Sequence, residues 1–170
     1  MSEWIDIKTD SGNEEEITLF HIAHEGSTTK LRLSDAVKDE GRGKDVLVIE
    51  ELDGSIDNCF DSFIRLNESS WLIGLDFIDM KEILFGSDSG KADYMSWRGK
   101  NEAAAFLKKL DYDMLSGLLL WTYGDFVLNE ISDLLEVIES NNRNKDLNIA
   151  NQVAVSEEEP TIHLIMVRKK

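Results

Sequence analysis

The stretch EITLFHIAHEG, residues 16–26, decides how the first half of the chain folds. It is rich in residues that favour β-structure and ends in a glycine, which predicts a strand followed by a turn. The segment TTKLRLSD, residues 28–35, follows the short Glu25–Ser27 turn and is the expected hairpin partner. Two more strands are predicted at EWIDI, residues 3–7, and DVLVIEEL, residues 45–52.

The second half of the chain is predicted to be mainly helical. Helices are expected at NEAAAFLKKL (101–110), YDMLSGLLLWTYG (112–124) and DFVLNEISDLLEVIES (125–140). The last is the clearest, because Val127, Ile131, Leu134, Leu135 and Ile138 form an apolar stripe with helical spacing. Between the halves, SSWLIGLDFIDM (69–80) is β-like and KEILFGSDSGKADYMSWRGK (81–100) is expected to be a loop-rich connector. TIHLIMV (161–167) is a final strand.

Strands first, helices later and one strand last predict an α+β fold. We expect a single domain over residues 1–170, with a mostly antiparallel sheet from the N-terminal half and the last strand, packed by helices of the C-terminal half. The 170 residues are 42% hydrophobic, which suits one core of this size.

The segment GSIDNCFDSFIRLNES, residues 54–69, fits a helix, with a strand around CFDSFIRL as the alternative. On the helical interpretation its apolar residues form one stripe. Asp57 and Asp61 then lie side by side on another face, and Arg65 is expected to pair with Asp61 one turn away.

Charge is the most distinctive property of the composition. Thirty-four acids against 18 bases give a formal net charge of −16, concentrated at the two ends, while residues 61–110 are nearly neutral. Such a charge disfavours direct binding to nucleic acid or to an anionic membrane and favours a cationic protein partner; solubility alone is the simpler explanation. A single cysteine, no signal peptide and no apolar run long enough to span a bilayer predict a cytoplasmic protein.

His21 and His24 are the first candidates for a metal or catalytic site. In a strand, an offset of three puts the two imidazoles on opposite faces of the sheet. A shared zinc ion would need a helix or a bulge and a further ligand, such as His163 or an acid. The sequence therefore favours ordinary strand histidines, and no metal site is predicted.

Other candidate chemistry also fails on spacing. Gly86 and Gly90 stand one residue too close for a phosphate-binding loop, and Ala92 replaces the hydroxyl that would bind magnesium. The acids of residues 51–61 lack the spacing of an EF-hand. Acids beside Cys59 raise the pKa expected for its thiol, which is unfavourable for a nucleophile. No catalytic residue and no cofactor are predicted.

Trp97 lies in the segment DYMSWRGK, residues 93–100, which we expect to be a polar loop. Tryptophan and arginine are common anchors of protein interfaces, so Trp97 is a candidate contact with a partner. The alternative is that this side chain folds back and covers the core.

In size, charge and absence of an active-site motif, the chain resembles bacterial toxin-immunity proteins of the contact-dependent-inhibition type. The resemblance implies a non-enzymatic cytoplasmic inhibitor that blocks the active site or substrate groove of a basic, nuclease-type toxin. The expected partner-binding residues are Asp133, Glu136, Asp57 and Asp61, with Trp97 as an anchor. The alternatives are an acidic nucleic-acid mimic from a phage or plasmid, a metal-dependent hydrolase using His21 and His24, and an adaptor; the oligomeric state stays open.

Overall fold

A computed structural model describes residues 4–8, 18–37, 45–68, 71–73, 77–125 and 128–170. The strands are β1 (Ile5–Lys8), β2 (Thr18–Glu25), β3 (Thr28–Leu33), β4 (Val46–Glu51), β5 (Trp71–Ile73), β6 (Lys91–Trp97), β7 (Leu115–Gly124), β8 (Asn148–Val155) and β9 (Thr161–Arg168). The helices are α1 (Cys59–Glu68), α2 (Phe77–Phe85), α3 (Lys100–Lys109) and α4 (Leu128–Asn141), with short 3₁₀ turns at Asp35–Val37 and Tyr112–Met114.

All nine strands of the described residues join one sheet in the order β1-β2-β3-β4-β6-β9-β7-β8-β5. Neighbours are antiparallel except β4 with β6 and β7 with β8. The predicted α+β class with a mostly antiparallel sheet is confirmed, although the sheet is mixed. The predicted hairpin is also confirmed, and Gly26 occupies its turn with a φ of 63°, a conformation that glycine adopts without strain.

Helices pack on both faces of the sheet. On the first face, Phe63 of α1 and Leu84 of α2 join a core that reaches from Ile7 in β1 to Ala154 in β8. On the second face, α3 and α4 pack over β6, β9 and β7, and that core contains no residue of β1–β4 among those described. The N-terminal half therefore supplies two of the helices as well as strands. The prediction had placed the strands in the N-terminal half and the helices in the C-terminal half.

The predicted helix over residues 112–124 is wrong. Residues 115–124 form β7, the long strand between β9 and β8. Leu119 and Trp121 face the first core, while Leu118 and Leu120 face the second. Because both faces are buried, the strand shows no alternation of polar and apolar residues, and periodicity could not separate it from a buried helix.

The connector expected over residues 81–100 is wrong as well. It contains the end of α2 and the whole of β6. The glycines of the rejected phosphate loop, Gly86 and Gly90, lie between a helix and a following strand. A phosphate loop runs from a strand into a helix, so its order is reversed here.

Helix α4 confirms the stripe predicted for it. Ile131, Leu134 and Ile138 are buried, while Asp133 and Glu136 are exposed; Val127 lies outside the described residues. Helix α1 is also present, but it begins at Cys59, after Ile56 and Asp57. None of the helices in the described ranges has the length and apolar character needed to cross a membrane.

Candidate functional site

The described sheet has a point at which neighbouring parallel strands send their connections to opposite faces. The chain leaves β4 for α1 on the first face, and it leaves the adjacent parallel strand β6 for α3 on the second. In open α/β sheets, ligands bind at such a point, outside the carboxyl ends of the strands. Two segments border this point: the β4–α1 loop, residues 52–58, and the β6–α3 junction, residues 98–100.

The β4–α1 loop is fixed against β6. Leu52 N donates to the carbonyl of Tyr94 (2.8 Å), and Asp57 N donates to Ser96 Oγ (3.0 Å). Gly54, in this loop, has a φ of 93°, a left-handed conformation that favours glycine. These bonds fix the loop against the carboxyl-terminal half of β6.

The first turn of α1 is already occupied by side chains of the same chain. Glu51 Oε1 accepts from Cys59 N (2.7 Å), and Asn58 Oδ1 accepts from Asp61 N (2.7 Å). Carboxylate and amide oxygens thus bind the amides that an anionic ligand would need. The N-terminus of α1 is therefore unsuited to an anion.

The first turn of α3 is different. Gly99 is its N-cap and makes no side-chain capping bond, and the helix starts directly after β6. Its free amides and the positive end of its dipole point out of the carboxyl edge of the sheet. Arg98 and Lys100 flank the turn, and the turn also contains one acid, Glu102, whose carboxylate lies beside Gly99.

Both cations are held by exchangeable ion pairs. Arg98 Nη1 lies 3.1 Å from Glu159 Oε2, and Lys100 Nζ lies 3.0 Å from Asp133 Oδ2. Arg98 and Glu159 are largely exposed, and exposed pairs of this kind contribute about 0–1 kcal/mol. A ligand anion can therefore compete for either cation at small cost.

A buried polar network lies under α1, on the first face. His163 has no exposed surface; its Nδ1 lies 2.8 Å from Tyr94 Oη and its Nε2 lies 2.7 Å from Thr161 Oγ1. Tyr94 Oη also bonds Ser62 Oγ of α1 (2.9 Å), and the indole of Trp121 stacks on the imidazole at 5.0 Å. Burial lowers the pKa of His163 to about 3, with a smaller effect from Arg65, and burial raises the pKa of Tyr94 above its usual range. Both groups are therefore neutral at physiological pH.

The predicted acidic contact residues separate into two groups. Asp133 and Glu136 are exposed on α4, above the second face, whereas Asp57 and Asp61 lie at α1, on the first. The sheet stands between them, so the structure does not bring the four together. Arg65 pairs with Asp57 (3.0 Å) and not with Asp61, which accepts instead from the side-chain amide of Asn58 (2.7 Å).

Trp97 is in strand β6 and not in a polar loop. It is 5% exposed and packs against Phe106 of α3, with ring centroids 5.1 Å apart. The side chain therefore belongs to the core of the second face, which agrees with the second interpretation.

The two histidines of the opening stretch lie on opposite faces, as the strand predicts. His21 Nδ1 lies 2.5 Å from Asp6 Oδ1 on the second face, while the ring of His24 contacts Phe60 of α1 on the first. His163, the third ligand considered for a metal site, belongs to the buried network with Tyr94 and is close to neither His21 nor His24 in the contacts described. No group of three potential metal ligands occurs among the described residues.

The sequence does not single out Arg98, Gly99 and Lys100, because their segment is predicted to be a loop. The usable signal was a glycine between an alternating apolar segment, ADYMSW (92–97), and the alanine-rich helix that follows. The Tyr94–His163 pair joins residues 69 positions apart. No local sequence pattern predicts a contact between residues so far apart in the chain.

Comparison with known proteins gives a partial likeness to solved structures only. No protein-family model matches the chain, and no curated protein matches it. An empty FtsZ dimer of M. jannaschii is similar over 62% of this chain and 34% of its own, at 21% identity and a TM-score of 0.48. CetZ of Methanosaeta thermophila is similar over 64% and 34% (12% identity, TM-score 0.46), and GDP-form protofilaments of TubZ from Bacillus thuringiensis serovar israelensis over 60% and 30% (9%, 0.43). The chain spans about a third of the length of these structures.

These matches correct several sequence-based predictions. The resemblance to toxin-immunity proteins is contradicted, because the matched structures are FtsZ, CetZ and TubZ. The toxin-neutralising function and the nuclease-type partner were implied by that resemblance alone and are withdrawn with it. The prediction of a non-enzymatic protein depended on the same resemblance and is withdrawn with it. The physical reason is that size and net charge are shared by many folds and report solubility and long-range attraction, not fold or chemistry.

Proposed function

We propose that the chain binds a small anionic ligand bearing a phosphate group, at the first turn of α3. The observation that carries this proposal is the uncapped N-terminus at Gly99, placed at the carboxyl edge of the sheet where connections diverge. Free backbone amides, the helix dipole and two adjacent cations are the elements of an anion site.

The charge distribution supports this location within an acidic chain. Residues 61–110 hold eight acids and seven bases, so the segment that contains Arg98 and Lys100 is nearly neutral, unlike the two ends. A phosphate that reaches α3 displaces Glu159 from Arg98 or Asp133 from Lys100. Because those pairs are weak, the exchange is favourable when the ligand also accepts bonds from the backbone amides.

Titration with pyrophosphate, followed by amide chemical shifts in NMR, tests the proposal directly. We expect the amides of Gly99, Lys100 and Asn101 to shift, and the double variant Arg98→Gln/Lys100→Gln to bind at least about tenfold more weakly. The matched control is Lys108→Gln/Lys109→Gln, which removes the same charge from the other end of α3.

Two outcomes contradict the proposal. In the first, pyrophosphate leaves the α3 amides unshifted. In the second, both double variants lose affinity equally, so that binding reflects overall charge and not the helix N-terminus. Nucleoside diphosphates and triphosphates then serve as further probes of what the phosphate is attached to.

We propose further that this function belongs to one domain spanning residues 1–170 and operates in the cytoplasm. The continuous sheet supports the first statement, since strands β6–β9 of the C-terminal half lie between β4 and β5 of the N-terminal half. The single cysteine supports the second: Cys59 is buried and free, as suits a reducing compartment.

A further inference from the structure

The connection between β8 and β9 crosses the carboxyl edge of the sheet. Strand β8 is parallel to β7, β9 is antiparallel to it, and β7 lies between the two. The end of β8 and the start of β9 therefore lie at the same edge, on either side of the end of β7. Residues 156–160 join them across Gly124, the last residue of β7. We call this segment, which contains Glu157, Glu158 and Glu159, the acidic strap.

The acidic strap lies directly against the end of β7. Ser156 N donates to the carbonyl of Gly124 (3.3 Å), and Asp125 N donates to the carbonyl of Glu158 (3.1 Å). A Cβ built on Gly124 would lie 2.8 Å from the carbonyl oxygen of Glu159 and 2.9 Å from that of Glu158. Gly124 also has a φ of 115°, which favours glycine. Glycine at this position therefore allows the strap to run against the strand.

The far end of the acidic strap is fixed by the buried network. Thr161 follows the strap directly, and its Oγ1 lies 2.7 Å from His163 Nε2. Pro160 confines the backbone of the preceding residue, Glu159, to extended conformations. The strap is thus anchored at both ends, while the side chains of its three glutamates are exposed.

Glu159 is the strap residue that reaches the first turn of α3. Its Oε2 lies 3.1 Å from Arg98 Nη1, whereas Glu157 and Glu158 form no ion pair within the described part of the chain. The side chains of Arg98 and Glu159 are 71% and 82% exposed, so an anion from solution can reach the pair. The strap therefore supplies one carboxylate to a cation of the proposed anion site.

We propose that the acidic strap inhibits anion binding at α3: Glu159 occupies Arg98 as an internal competitor, and a bound phosphate releases it. The inference rests on the anion site proposed at the first turn of α3. A carboxylate held on a short segment has an effective concentration on the order of millimolar. A free anion below that concentration displaces Glu159 only if it gains further bonds in the site. A phosphate gains them from the backbone amides of the turn, so the strap favours phosphates over single carboxylates.

Titration of the full chain with pyrophosphate at low salt, followed by amide chemical shifts, tests the strap. In the wild type we expect the Glu159 amide to shift with the same midpoint as that of Gly99. Glu159→Gln should lower the Kd of pyrophosphate about three- to fivefold, as expected for the loss of one exposed ion pair. The matched control is Glu157→Gln, which removes the same charge from the same strap without touching Arg98. It should keep the wild-type Kd within about twofold, because its effect is only long-range.

A second comparison isolates the contact with Arg98. In an Arg98→Gln background, Glu159→Gln should leave the Kd of pyrophosphate unchanged, because the competitor then has no cation to occupy. The three substituted side chains, Arg98, Glu157 and Glu159, are exposed, so each variant should fold, which circular dichroism verifies.

The results separate the strap from the anion site. If pyrophosphate shifts the Gly99 amide but Glu159→Gln binds it no more tightly than Glu157→Gln, the strap proposal is wrong and the anion site stands. The same conclusion follows if the Glu159 amide does not respond, or if the gain in affinity persists without Arg98. If the Gly99 amide shifts in no variant, Glu159→Gln included, the anion site itself is absent and the strap proposal falls with it.

Discussion

The imidazole of His163 lies inside the fold with no exposed surface, and burial, with a smaller effect from Arg65, lowers its pKa to about 3. An unfolded histidine has a pKa of about 6.5. Between these values the unfolded chain binds a proton that the folded chain does not bind. The stabilisation is therefore complete above about pH 6.5 and is lost as the pH falls toward 3, by on the order of 4 kcal/mol.

Replacing His163 by Gln should remove this dependence, because the amide does not titrate and can still bond Tyr94 and Thr161. Urea unfolding between about pH 4 and 7 measures the effect. We expect the free energy of unfolding to fall less steeply with decreasing pH in the variant, by at most about 1.4 kcal/mol per pH unit. Equal slopes would show that His163 does not control acid stability.

Tyr94→Phe, which keeps the imidazole, should lower the free energy of unfolding at every pH by about 1–3 kcal/mol without removing its dependence on pH.

Cys59 is the second residue whose burial sets its chemistry. Its side chain has no exposed surface, and burial raises the pKa of the thiol, with a smaller contribution from Glu51. Because the thiolate is the reactive form, we expect no reaction with Ellman's reagent in native buffer and one equivalent after unfolding in guanidinium. Rapid labelling of the native chain, measured by absorbance, would contradict the burial of this side chain.

At the scale of elements, the strand β7 depends on a close approach to α2. A Cβ built on Gly117 would lie 2.6 Å from the carbonyl oxygen of Ile83 and 3.1 Å from its Cγ2. The backbone cannot yield easily, so Gly117→Ala should lower the free energy of unfolding by about 2–3 kcal/mol. The neighbouring Ser116→Ala is the control: its buried hydroxyl has no hydrogen-bond partner among the described residues, so its loss should be neutral or slightly stabilising. Urea unfolding measures the change in the free energy of unfolding of both variants. Equal changes would contradict the close packing of Gly117 against Ile83.

A helix or strand can be predicted from the sequence when one of its faces is exposed to solvent. Helix α4 and strands β2 and β3 have one exposed side, so their periods of 3.6 and 2 are visible, and both predictions are confirmed. Strand β7 is buried on both faces, and its run of leucines carries no period. The site at α3 needed the position of β6 beside β4, a contact between segments about 40 residues apart. Such pairing is a property of the whole sheet.

At the scale of the whole molecule, acids lie on both sides of the sheet. Asp57 and Asp61 lie on the α1 side, the formal net charge is −16, and helix α4 on the other side contains four acids: Glu130, Asp133, Glu136 and Glu139. Repulsion between such groups acts across the whole fold, whereas the ion pairs seen at the surface are local and weak. The long-range effect should therefore dominate the response to salt.

We expect added NaCl to raise the melting temperature. Between about 0.01 M and 0.1 M the Debye length falls from about 30 Å to about 10 Å, which is shorter than the molecule and screens most of the repulsion. The gain should be about 1 kcal/mol or more, measured by differential scanning calorimetry at low protein concentration. Glu157→Lys/Glu158→Lys raises the net charge by four units in an exposed loop, so its gain should be smaller. A melting temperature that falls with salt would mean that the pairs Arg98–Glu159 and Lys100–Asp133 outweigh the repulsion, and the anion proposed at α3 would then face stronger competition for its cations.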